Sequence, residues 1–87
     1  MTFDAAINNL MNYQGRNLKK VNGIIIDHKG YQYRFRYLNS LVDYIGIDRR
    51  KIGERNYKYF SGIYPWRCCS VADAVSACMD EIEKKLS

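Results

Sequence analysis

Tyr31, Tyr33, Phe35 and Tyr37 alternate with Gln32, Arg34 and Arg36. A β-strand sends successive side chains to opposite faces, so this spacing puts the four rings on one face and both arginines on the other. A period of two held over Tyr31 to Tyr37 does not fit a helical stripe, and it makes the middle of the chain sheet. The preceding Ile24-Ile25-Ile26 run is β-branched and fits a pleated surface. Between the two, Asp27-His28-Lys29-Gly30 is turn chemistry. Gly30 supplies a left-handed conformation and Asp27 an acceptor for nearby amides. Residues 23–38 therefore read as a hairpin. Its aromatic face has two uses: an inner face covered by helices, or an open platform for flat rings. The first is the default for such a stripe, and it turns Arg34 and Arg36 out to water.

Helical spacing flanks this unit. Thr2 to Gln14 reads as a helix capped by Thr2, with Phe3, Ala6, Ile7, Leu10 and Met11 on one face and Gly15 as terminator. Ser70 to Leu86 reads as a second helix, opened by Ser70-Val71-Ala72-Asp73 as a capping box. Its apolar stripe is Val71, Ala74, Val75, Cys78, Ile82 and Leu86. Asp73, Ser76, Asp80, Glu81 and Glu83 form an acidic outer face. Arg16 to Val21 is a basic connector, either a solvated loop or a short strand. Ser40-Leu41-Val42-Asp43 resembles a small capping box, and it predicts a short helix that buries Leu41, Tyr44 and Ile45 and ends at Gly46. Asp48-Arg49-Arg50-Lys51 follows as a charged loop. Arg55 to Tyr64 reads as a third strand. If Tyr57 and Tyr59 join the aromatic face, Lys58 joins Arg34 and Arg36 on the other. Trp66 reads as a core or rim anchor.

These elements predict an α+β fold over residues 1–87 as a single domain. A three- or four-stranded antiparallel sheet carries the N- and C-terminal helices packed on one face, in the order α-β-β-β-α. A chain of 87 residues buries only about 60–65% of the surface its unfolded form exposes, so the core is small and a homo-oligomer is in reach. No apolar run approaches the roughly 20 residues that span a bilayer, and no basic leader precedes an apolar stretch. A soluble, cytoplasmic protein is expected.

Catalytic and metal chemistry find little support. Cys68, Cys69 and Cys78 are odd in number, and two are adjacent, which is no disulfide framework. With His28 they make a poor zinc set, lacking any Cys-x-x-Cys pair, and reduced, partly buried thiols are the plainer use. There is one histidine, and no Gly-x-Ser-x-Gly, Walker loop or His-x-x-x-His spacing. No metal, no cofactor and no enzymatic activity are expected.

Charge is more informative. Residues 15–67 carry twelve Lys or Arg against four acids, while the two ends together carry two against five. Ten of the twelve aromatic residues fall in the same middle. A basic, aromatic centre suits a phosphate-bearing partner, set against the plainer use of basic loops as solubilising surface. Two groups of cations follow: Arg34, Arg36 and Lys58 on the sheet, and Arg49, Arg50 and Lys51 in the loop, each set to neutralise phosphate with little base reading. Tyr57, Tyr59 and Trp66 are candidates for stacking.

The order helix, hairpin, strand, helix resembles the double-stranded-RNA-binding domain over most of the chain. That resemblance implies recognition of A-form shape through the first helix, the hairpin loop (here His28 and Lys29) and the start of the second helix. Ser70 and Asp73 stand where that family carries lysines. Met-Thr-Phe-Asp-Ala-Ala, a short helix and a basic stretch also resemble the openings of small phage-encoded proteins, over about 20 residues. Some of these, including the anti-Thoeris type, sequester nucleotide signals. The function expected is non-enzymatic nucleic-acid binding, as in a phage regulator. The alternative is an anti-defence protein, anti-CRISPR-like, that sequesters a nucleotide signal between subunits or blocks a host defence protein.

Overall fold

A computed structural model describes Thr2, residues 17–39 and residues 41–87. The helix expected over Thr2 to Gln14 lies outside the described residues apart from Thr2. Four strands form one antiparallel sheet in sequence order: β1 (Ile25–His28), β2 (Tyr31–Asn39), β3 (Asp43–Lys51) and β4 (Lys58–Ile63). A 3-10 turn, Leu18–Val21, precedes them, and helix α1 (Val71–Leu86) follows. The fold is α+β.

The β1–β2 hairpin forms as its turn residues dictate. His28 pairs with Tyr31, leaving a two-residue loop in which Lys29 and Gly30 have φ of 50° and 85°. Positive φ at both positions is the type I′ geometry that matches the twist of the flanking strands. The aromatic stripe of β2 faces the core. Tyr33 and Phe35 are fully buried, and Tyr31 and Tyr37 pack partly buried at the margins. Ile26, Ile45 and Ile47 extend this floor across β1 and β3. Helix α1 covers it with Val71, Ala74, Val75, Cys78, Met79 and Ile82, while Leu86 stays exposed in the last turn. Removing a ring from this core, as in Phe35→Ala, costs about 3–5 kcal/mol.

Ser70 caps α1 by accepting from the Asp73 amide at 3.1 Å. Asp73 accepts in return from the Cys69 amide at 3.1 Å, one residue before the cap. Two otherwise orphaned donors are thereby satisfied. The connector before β1 is neither a solvated loop nor a strand. Its 3-10 turn drops Leu18 and Val21 into the core and leaves Lys19 and Lys20 outside.

Residues 43–51 depart from expectation. They form a nine-residue central strand, not a short helix followed by a charged loop. Ile45 and Ile47 alternate with Tyr44, Gly46 and Asp48, and burying the two isoleucines beside Phe35 and Tyr37 outweighs the local capping pattern. Gly46 terminates nothing: it lies mid-strand, directly opposite Gly62 on β4.

Candidate functional site

The sheet has a helix-covered face and an open face. The open face carries Gln32, Arg34 and Arg36 from β2, and Tyr44, Gly46, Asp48 and Arg50 from β3, by the register of the two strands. The charged stripe expected there is partly neutralised, two guanidiniums sharing one carboxylate. Asp48, whose side chain is 7% exposed, lies between the two arginines. It accepts from Arg34 Nη2 at 3.3 Å, from Arg36 Nη2 at 3.0 Å and from Arg36 Nε. The hydrogen bond it donates to Asp48 holds the Arg36 guanidinium above its ordinary pKa against the opposing effect of burial. Arg34 and Arg36 keep 39% and 38% side-chain exposure, but as partners of one carboxylate rather than as free cations.

A bulge separates the remaining expected residues. Ile47 pairs with Ser61 but Asp48 pairs with Tyr59, so Phe60 is an extra residue on β4. One inserted residue inverts the alternation beyond it. Tyr59 therefore lies opposite Asp48 on the open face. Lys58 lies opposite Arg49 on the other side and does not join Arg34 and Arg36. Tyr57 also leaves the aromatic core stripe. Its ring meets two guanidiniums, with Arg34 Cζ at 4.3 Å and Arg50 Cζ at 4.5 Å from its centroid.

The second group of cations is brought together with Lys58. Arg49, Arg50, Lys51 and Lys58 line a cleft of about 320 Å³ at the end of the β3–β4 hairpin, with Tyr31, Glu54, Asn56, Tyr59 and Phe60. Sequence reasoning placed Arg49, Arg50 and Lys51 in a loop, yet all three lie on strand β3. Arg49 Cζ stacks 4.4 Å from the Tyr31 centroid and 4.5 Å from that of Phe60. Arg50 donates to Gln32 Oε1 at 2.9 Å and to the Arg55 carbonyl at 3.1 Å. Among the described residues no carboxylate forms an ion pair with any of the four. Rings and amides thus position the guanidiniums without cancelling their charge.

The open face continues from the cleft as a row of rings. The Tyr59 hydroxyl lies 2.6 Å from that of Tyr44. The Tyr44 ring lies 5.0 Å from that of Tyr64, and Tyr64 lies 5.8 Å from Trp66, at interplanar angles of 59° and 53°. Trp66 is no core anchor: it is 77% exposed, with Tyr59 at 63% and Tyr64 at 54%. Burial and the hydrogen bond to Tyr59 push the Tyr44 phenol up to about 12. Tyr44, expected on the buried face of a short helix, and Tyr64, expected only as the end of the third strand, were not among the stacking candidates, although each stands two residues from a glycine of the sheet, Gly46 and Gly62.

The acidic residues of α1 are partly engaged. Glu83 meets His28 and Lys29 of the first hairpin turn, and Glu81 accepts from the Ser61 hydroxyl. Burial pushes the Cys78 thiol up, and Cys69 is exposed. Among the described residues no group of three or more His, Cys, Asp or Glu side chains is placed to hold a metal ion, and no helix is long and apolar enough to cross a membrane. Comparisons with protein-family models, with curated proteins and with solved structures find no match to this chain.

Proposed function

We propose that the chain acts by binding a nucleic acid, whose phosphates enter the cleft of Arg49, Arg50, Lys51 and Lys58. The observation that carries this reading is the set of four cations without a carboxylate partner among the described residues, against a single acid, Glu54, in the same cleft. Two guanidiniums pre-set by stacking lose less freedom on meeting a phosphate than free side chains do. Arg34 and Arg36 are left out of this binding group, because both are engaged by Asp48, which offsets one of their two charges. Contacts of this kind hold the backbone and read little sequence.

The test is salt dependence. Neutralising about four phosphates of a single strand gives a slope of log K against log salt near −3. A labelled oligonucleotide titrated between about 50 and 200 mM salt measures it by anisotropy. Binding whose affinity ignores salt, or no binding at the lowest salt, contradicts the proposal. Competition by a cyclic dinucleotide, with a matching thermal shift, would point instead to a free nucleotide signal as the occupant of the cleft.

A further inference from the structure

Three rings of the row lie outside the buried core. Tyr59, Tyr64 and Trp66 stand on the open face, away from the helix, and each keeps more than half of its surface in water. Exposed rings placed side by side, rather than scattered, mark a surface that receives something. Two features identify what it receives. The row starts inside the basic cleft, since Tyr59 lines that cleft and also bonds Tyr44. The row lies close against the sheet, because Gly62 puts no side chain under the Tyr44 hydroxyl and lets that ring rest on β4 between Tyr59 and Tyr64.

Resting on the reading that phosphates occupy the cleft, we infer that the open face selects single-stranded nucleic acid and stacks its bases on Tyr59, Tyr64 and Trp66. A strand anchored by a phosphate at Arg50, the cleft cation that shares the open face with Tyr59, runs its next bases along the row. Every base offers a π-face, so stacking adds affinity without a sequence requirement. A duplex hides those faces in its own stack. It can use the cations but not the rings, so the row converts a general polyanion site into one that discriminates strandedness.

Trp66 is the only tryptophan in the chain, so its emission reports the far end of the row directly. The experiment titrates the protein with oligothymidine, oligouridine, a duplex of matched length and heparin, reading Trp66 emission and affinity together. Either single strand should quench Trp66 and bind at least about tenfold tighter than the duplex, the scale of one stacked base. Heparin should bind without quenching. Tyr64→Ala and Trp66→Phe alter exposed side chains, and each should reduce the preference for single strands while leaving duplex and heparin binding unchanged. Equal affinity for duplex and single strand with unaltered emission overturns the inference but leaves the cleft reading standing. Failure of all four ligands to bind removes the cleft reading itself. A blue shift of Trp66 with rising protein concentration alone would assign the face to a second copy of the chain and also overturn the inference.

Discussion

Gly62 lies directly beneath the ring of Tyr44: a Cβ built on Gly62 would come 1.9 Å from the Tyr44 hydroxyl oxygen and 2.9 Å from the Ile45 carbonyl oxygen. Neither distance can be tolerated, and only one of the two neighbours can swing away. Gly62→Ala should therefore destabilise the protein by about 1–3 kcal/mol, the usual cost of overpacking. It should also displace the Tyr44 ring and break the row between Tyr59 and Tyr64. Urea unfolding measures the first effect, and loss of single-strand preference the second.

Asp48 separates stability from binding. Asp48→Ala leaves two neighbouring guanidiniums without their shared partner. The loss should be about 1–3 kcal/mol, towards the lower end because both arginines are more than a third exposed. The same change frees two cations on the open face, so affinity for an oligonucleotide should rise and the salt slope should steepen by about 1 to 2. A less stable protein that binds more tightly is the expected pair of outcomes, read by urea unfolding and anisotropy.

Lys29 occupies a left-handed position at φ 50° that its side chain does not favour. Asparagine visits that region readily, and Asn-Gly is the preferred type I′ pair. Its ammonium is 3.8 Å from Glu83 at an exposed site, an ion pair of little worth. Lys29→Asn should raise stability by about 0.5–1 kcal/mol, seen as a higher unfolding midpoint, by relieving part of the left-handed cost.

Tyr44 gives stability a signature at high pH. Its pKa rises from 10.0 to about 12 on folding, chiefly through burial and then through the Tyr59 hydrogen bond, so the fold favours the neutral phenol. The contribution is complete below pH 10.0 and is lost as pH climbs through about 12. The stability advantage of the native chain over Tyr44→Phe should therefore be constant to pH 10.0 and shrink above it, as followed by urea unfolding across that range.

The first hairpin and the last helix were legible because each carries its own period: two across Tyr31 to Tyr37, and helical spacing from Val71 to Ile82. The central strand was not, because Gly46 mimics a terminator and Asp48 to Lys51 reads as a solvated charge run. Only the partner strands reveal that Gly46 makes room for Arg36, whose Nη2 lies 3.1 Å from a Cβ built there. The parity of β4 was unreadable for a different reason. A single bulge at Phe60 sends Tyr59 and Lys58 to the faces opposite those that plain alternation assigns. Asp48 shows the same limit in its charge: next to two cations in sequence, it is spent on two others across the sheet.

The most direct measurement is a map of backbone amide shifts by nuclear magnetic resonance as an oligonucleotide is added at low salt. The account predicts perturbations concentrated on residues 49–60 and running through Tyr64 to Trp66, fading as salt is raised. Shifts gathered on the acidic outer face of α1 around Asp80, or spread evenly with no focus at the cleft, would contradict it.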